Sequence, residues 1–298
     1  MAELELAGLG EAMVLFESTS LATAPAVDVH IAGAEFNLCA AAARLGIATA
    51  LCTRVGADPL GERVLAGLDG LGVSTALAMT DPDHPTGLFL KDVQPDGERR
   101  VYYYRKGSAA STMDTSDADR LLAARPGLVA VSGITAALGD GPRAAVLHLA
   151  PRVRLAFDPN FRPGLGPLDD QAAFARLLLP HVDILILGLD EAHLIFGTTD
   201  VFAAFPGEVI LKAGAQGCYF RGGHLPSYAT EVVDPVGAGD AFAGGYLAAR
   251  LRGASPAAAA HIGSVLAAGV VAAHGDTAGL PDPATGRALL TKPAATRG

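Results

Sequence analysis

Five short runs rich in apolar and β-branched residues, at 48–53, 127–132, 154–158, 184–187 and 209–212, are separated by longer stretches of helical character. Such alternation predicts a largely parallel sheet covered by helices, because parallel neighbours need crossovers and their apolar faces need cover. Local signals agree: Asp58 and Pro59 form an N-cap and first-turn pair for a helix running to Leu71, and Gly46 and Gly72 stand where helices stop. Two stretches, 13–31 and 87–105, break the rhythm, the second with a Gln94-Pro95-Asp96-Gly97 turn between strand-like runs. Both read as antiparallel β excursions that together form a small lid over the sheet edge. No internal repeat stands out, and the tail beyond Pro281 is expected to be loosely held.

At 298 residues, half of them apolar, the chain has material for one large α/β domain or two small ones. A formal net charge of −9 disfavours nonspecific binding to nucleic acid or to an anionic membrane, so any cations that handle an anion must be placed locally. Cys39, Cys52 and Cys218 form no CxxC pair and read as small buried apolar residues, which suits a reducing cytoplasm. No basic start followed by an apolar run and a cleavage site is visible at the N-terminus, so secretion is not expected. The uncharged segment 254–273 starts at Ser255-Pro256 and contains His261 and Ser264, which predicts a buried helix in a soluble protein.

The groups with chemical potential sit where strands end: Ser132-Gly133, 158–162, 212–214 and the loop at Gly237. In open α/β sheets ligands bind beyond the carboxyl ends of the strands. The most telling of these segments is Asp234-Pro235-Val236-Gly237-Ala238-Gly239-Asp240, which runs into the apolar Ala241-Phe242-Ala243-Gly244-Gly245. A flexible loop entering a helix offers backbone N–H groups and a positive dipole end to an anion, here with a carboxylate beside it. Phosphoryl transfer to a hydroxyl needs this set: Gly237, Ala238 and Gly239 to neutralise charge on the transferred group, and Asp240 to take the proton. The same residues also suit a plain helix-capping turn. No GxxxxGK[ST] sequence is present, so a Walker-type phosphate loop is excluded.

Ala32-Gly33-Ala34-Glu35-Phe36-Asn37 is a loop entering a helix, and Asn37 in its first turn can bond a ligand hydroxyl or the local backbone. Lys212-Ala213-Gly214-Ala215-Gln216-Gly217 is a turn between strands in which Lys212 faces phosphate or caps the strand. Arg105, in Tyr102-Tyr103-Tyr104-Arg105-Lys106-Gly107-Ser108-Ala109, and Arg162, ending Asp158-Pro159-Asn160-Phe161-Arg162, each read singly as surface residues. Converging on one cleft, two guanidinium groups suit a planar carboxylate. The eight dispersed histidines have no zinc spacing, and Gly8-Leu9-Gly10 lacks the third glycine of a dinucleotide fingerprint.

The order DPVGAGDAFAGG resembles the signature of the ribokinase-like (PfkB-type) sugar kinases, and the resemblance spans 8–281. AGAEFN is similar to that family's GGAxxN, with Ala32 in place of the first glycine, which implies sugar contacts from Gly33 and Asn37. KAGAQG is similar to KxGxxG, which implies nucleotide against Lys212, Gly214 and Gly217 as well as Gly237 and Gly239. Glu191 falls at the NxxE motif that orders magnesium-bound water, with Gly188 replacing its asparagine. YYYRKGSA and DPNFR resemble the 2-keto-3-deoxygluconate kinase branch. That branch implies substrate contacts from Tyr103, Arg105, Ile134, Arg162, Asp240 and Asp276, the last in His274-Gly275-Asp276 where the branch has RGD. Phe89 stands where the branch often has tyrosine, so one substrate hydrogen bond is expected to be missing.

The resemblance implies a single domain over 1–298, an α/β three-layer sandwich around a mainly parallel sheet, with a small β lid. It implies an ATP- and Mg2+-dependent kinase of 2-keto-3-deoxygluconate or a close sugar acid. Another kinase of the family, acting on fructose, ribose, a dehydro-deoxy sugar acid or a nucleoside, would keep Asp240 and use the arginines structurally. A ligand-binding protein on the same fold is the alternative from a different class. An apolar lid face predicts a homo-oligomer, dimer or larger.

Overall fold

The computed structural model describes residues 3–94, 96, 98–198 and 200–291. All five sequence-predicted strands lie in its large sheet, where Leu6–Leu9, a strand the sequence pattern did not reveal, separates the one at 49–56 from the other four. In chain order its strands are β1 (Leu6–Leu9), β2 (Met13–Thr19), β3 (Asp28–Ala32), β4 (Thr49–Gly56), β5 (Val73–Ser74), β6 (Ala78–Asp81), β7 (Leu88–Val93) and β8 (Arg99–Tyr104). They continue as β9 (Leu128–Ser132), β10 (Leu155–Asp158), β11 (Ile184–Gly188), β12 (Glu208–Lys212), β13 (Cys218–Phe220) and β14 (Gly223–Leu225). The large sheet runs β14-β13-β12-β11-β10-β9-β1-β4-β5, with β6 also on β4; every pairing is parallel except β12–β13 and β13–β14. Alternate residues along its strands feed two separate apolar cores. Leu6, Ala130, Ala156 and Ile210 pack on one side, while Ala7, Val129, Phe157 and Leu211 pack on the other. Helices cover both faces, which makes the fold a three-layer α/β sandwich around a mainly parallel sheet.

The second sheet is the lid, in the order β3-β2-β7-β8. Each excursion is an antiparallel hairpin, as expected, and the two are joined by a parallel pairing of β2 with β7 that the sequence pattern did not reveal. Of the expected turn at 94–97, Pro95 and Gly97 lie outside the described residues; a bond from Gln94 N–H to Glu98 O, 2.7 Å, closes the connection around them.

Helix punctuation follows the local chemistry. Asp58 accepts from Gly61 N–H at 2.8 Å and starts the helix Pro59–Leu71, which Gly72 ends in the left-handed region at φ 82°. Ser255 caps the buried helix Pro256–Val271. Among the described residues no helix is long and apolar enough to cross a membrane. The expectation of a loose tail beyond Pro281 is corrected for Pro283–Thr291, which is helical. Asp282 accepts from the N–H groups of Ala284 and Thr285, repeating the Asp-Pro start used at Asp58. Leu289 and Leu290 pack on the core, and Gly286 lies so near the helix Ala34–Arg44 that an added Cβ would come within 2.0 Å of Arg44 O.

One close approach positions the site. Helix Ala34–Arg44 carries Asn37, and helix Ala238–Leu251 carries Asp240. A Cβ at Gly244 would stand 2.3 Å from Leu38 O, so the two helices meet backbone to backbone. Asn37 and Asp240 are thereby held within bonding distance although 203 residues apart.

Candidate functional site

A cavity of about 940 Å³ lies between the carboxyl ends of the sheet strands and the lid. Its floor is the start of helix Ala238–Leu251. Gly237 precedes that helix at φ 78°, and a Cβ there would stand 2.9 Å from Asp276 Cα, so only glycine lets the loop lie against Asp276. Gly237, Gly239 and Asp240 line the cavity; Ala238 is outside its wall.

Asn37 organises the polar heart of the cavity. Its Nδ2 donates to Asp240 Oδ2 and to Asp276 Oδ2, both at 2.9 Å, so one amide bridges two carboxylates. Asn37 Oδ1 and Asp276 Oδ1 are buried without a partner among the described residues, a costly state that a ligand hydroxyl would relieve. Burial pushes the Asp240 carboxyl up to about 7, against the lowering bond from Asn37 and with help from the nearby Asp158 charge. Burial likewise raises Asp276. A carboxyl poised near neutrality at a helix N-terminus is suited to receive a proton. Gly33 lines the cavity at the start of the Asn37 helix; at φ 148° a Cβ there would come within 2.3 Å of Glu11 O.

Lys212 lies across from this pair, its ammonium bonded to Asp158 Oδ2. Burial opposes its charge, yet the Asp158 and Glu191 carboxylates hold its pKa above the ordinary lysine range. Gly239 opens toward it: an added Cβ would be 3.6 Å from Lys212 Nζ. Gly214 lines the cavity, whereas Gly217 is outside the wall, at φ 92° with Leu225 O 2.0 Å from an added Cβ. Glu191 lines the cavity too, but Oε2 accepts from Gly188 N–H at 2.6 Å and Oε1 from Phe161 N–H at 2.8 Å. With glycine at 188 the carboxylate is thus anchored by backbone. Burial, then the Asp158 charge, raises its pKa.

The lid side is built from Phe89, buried against Tyr103 with ring centroids 5.4 Å apart, and from Arg105, whose guanidinium lies 5.7 Å from the Tyr103 ring. Ile134 lines the cavity from the sheet side. The two arginines differ sharply. Arg105 is buried and its Nε donates to Glu11 Oε2 at 2.8 Å, while Glu11 Oε1 accepts from Ser108 Oγ. Arg162 is exposed at the rim, with NH1 on Phe161 O and no carboxylate partner among the described residues.

Sequence reading passed over several members of this site. Glu11 carried no motif. Asn160 lay inside DPNFR without a role; it sits at φ 45°, a conformation asparagine tolerates, and its Nδ2 is 3.4 Å from Asp240 Oδ1. Its own N–H donates to Asp158 Oδ1, an Asx turn that the Asp-Pro-Asn order could have signalled. Lys91, buried in the lid, had no sequence signal at all.

The chain is 34% identical to a 2-dehydro-3-deoxygluconokinase of Thermoproteus tenax, over 97% of this chain and 95% of that one. It is also 34% identical to a 2-dehydro-3-deoxygluconokinase of Bacillus subtilis, over 94% and 93%. Among solved structures, a protein described as a ribokinase II from Escherichia coli, in complex with ATP and Mg2+, superposes with a TM-score of 0.86 at 22% identity, covering 96% of this chain and 99% of that one. Residues 4–283 match the pfkB family carbohydrate kinases, and the chain belongs to that family of carbohydrate kinases.

Proposed function

We propose that the chain, acting as one catalytic unit with its lid, transfers the γ-phosphoryl group of ATP to a terminal hydroxyl of 2-keto-3-deoxygluconate or a close sugar acid. The observation that carries this reading is Asp240, bridged by Asn37 to Asp276 and raised to about 7 at the mouth of a helix N-terminus. The hydroxyl gives its proton to Asp240 as its oxygen bonds to the γ-phosphorus, and the bond from that phosphorus to the β-bridging oxygen breaks, releasing ADP. Backbone N–H groups at 237–239 and the helix dipole face the charge spread over the transferred oxygens. Asp276 Oδ1 and Asn37 Oδ1, unpartnered among the described residues, are the acceptors that would orient the sugar's hydroxyls.

Lys212, Gly214, Gly237 and Gly239, which line the cavity, would hold the nucleotide, and Mg2+ bound with it would supply charge neutralisation. Among the described residues no three His, Cys, Asp or Glu side chains are grouped to hold a metal, and Glu191, with both oxygens on backbone N–H groups, is left to order water. Lys212 and the Gly214 turn provide the remaining nucleotide wall. The three buried cysteines, none in a disulfide, suit a cytoplasmic setting.

Substrate class rests on the arginines and on the names of the two relatives. Arg162 offers at the rim a guanidinium with no carboxylate partner among the described residues, and Arg105 one already shared with Glu11. That pairing favours a second reading, a kinase of a neutral sugar in which Arg105 is structural. Against a panel of 2-keto-3-deoxygluconate, its galactonate epimer, fructose and ribose, Arg162→Ala should weaken keto-deoxy acid use by about 1.5 to 3 kcal/mol in kcat/KM and leave neutral sugars untouched. Equal losses on both classes favour the neutral-sugar reading.

On strand β8 Val101 and Tyr103 line the cavity, while Tyr102 and Tyr104, 46% and 62% exposed, point to the opposite face, which we assign to pairing with a second copy. Sedimentation should show a dimer or larger that Tyr102→Glu dissociates; a monomer at all concentrations would refute this.

Asp240→Asn should abolish turnover while preserving ATP binding, because the geometry stays and the proton acceptor goes. Wild-type kcat/KM should fall as pH drops through about 7, since the base must be ionised. The same raised pKa fixes a stability sign: Asp240 favours the folded state below its unfolded value, and that advantage is lost as pH rises through about 7. At pH 8 Asp240→Asn should therefore melt above the wild type. Near-normal turnover by this variant would refute the assignment.

A further inference from the structure

Lys91 lies on lid strand β7, buried, with its ammonium 3.2 Å from Glu17 Oε2 on β2. It also donates to Asp234 Oδ2, and Asp234 is equally buried. Asp234 belongs to the loop that opens the phosphate-facing helix. Its other oxygen accepts from Val236 N–H at 3.2 Å, and its own N–H donates to Val271 O. A second lid strand holds the same segment, for Arg99 on β8 donates to Val233 O at 3.0 Å. Two lid strands therefore grip residues 233 and 234, and the Asp234 carboxylate passes that grip to Val236, the residue before Gly237.

Three buried or half-buried charges are a poor way merely to glue the lid down, since a well-packed apolar pair of similar volume holds at least as well. What a charge pair adds is direction: it fixes where one carboxylate oxygen points, and so where the other meets the loop. Phe89 and Lys91 are two apart on one strand and share a face, and both line the cavity. A sugar seated against Phe89 thus bears on the strand that carries Lys91.

We propose that Lys91 is a positioning residue that transmits the seating of the lid to the anion-binding loop: the N–H groups at 237–239 are aligned for phosphate only while Lys91 holds Asp234. The inference rests on the kinase reading above for its consequence in turnover, and on geometry alone for its consequence in the loop. It ties ATP turnover to the presence of sugar, because a lid out of place leaves the loop untethered.

Lys91→Met alone would strand Asp234 as an uncompensated buried charge and endanger the fold. The informative protein is the double variant Lys91→Met, Asp234→Asn, which keeps an acceptor for Val236 N–H, removes the two fully buried charges and leaves only the half-buried Glu17 carboxylate, which still reaches water. It should melt close to the wild type. Amides of 234–240 should exchange with deuterium about tenfold faster or more, and kcat should fall about tenfold to a hundredfold with KM for ATP within about threefold. Lys91→Arg should restore kcat to within about threefold of wild type. Wild-type exchange in the loop, or wild-type kcat in the double variant, overturns the proposal. If the wild type phosphorylates none of the sugars tested, the substrate reading fails, and the exchange of 234–240, which needs no substrate, decides for or against Lys91.

Discussion

One amide holds this site together. Asn37 Nδ2 bonds both Asp240 and Asp276, and without it two partly or fully buried carboxylates would face each other with only repulsion between them. The bridge in turn depends on the contact of two helices whose backbones meet at Gly244, and on a loop that lies against Asp276 because position 237 has no side chain. Residues from three distant parts of the chain, 37, 240 and 276, are brought to one point by close backbone packing. The chemistry proposed for Asp240 follows from that placement: burial raises its pKa, the amide keeps it from rising further, and the helix start beside it faces the charge of the transferred group.

The lid completes the cavity and supplies its second set of charges. Glu11 with Arg105, and Lys91 with Glu17 and Asp234, are buried ion pairs at the junction of lid and sheet. Such pairs contribute orientation more than stability. Arg105 shows the point: its guanidinium is held by Glu11 under the Tyr103 ring, so its direction into the cavity is set before any ligand arrives. Arg162, exposed on a loop, is held only by its own neighbour's carbonyl, Phe161 O. A carboxylate would meet one cation fixed by a buried ion pair and one at the exposed rim.

Much of the fold could be read from the chain because its signals are local. Apolar runs at helical separations specify a parallel sheet, and Asp58-Pro59 or Ser255-Pro256 specify helix starts by side-chain chemistry within one turn. The same logic, applied to Asp282-Pro283, would have found the helix Pro283–Thr291 in place of a loose tail. What stayed hidden is non-local. The parallel joint between β2 and β7 links segments about 75 residues apart, and nothing in either strand encodes it. Glu11, Lys91 and Asn160 are ordinary polar residues until the fold buries them; only then does desolvation turn each into part of a network. Motif reading found Asp240, Asn37, Lys212 and Asp276 because glycines and their spacing mark the loops that carry them. It could not tell that Arg105 was already paired, since a salt bridge across 94 residues leaves no trace in spacing.

The account stands on the ionisation of one carboxyl group. A carbon-13 NMR titration of the Asp240 side chain in the free protein, assigned by comparison with Asp240→Asn, should give a midpoint near 7. A midpoint at the ordinary aspartate value of about 4 would mean that Asp240 is well solvated in the resting protein. That result would contradict the claim that the fold prepares it as the base.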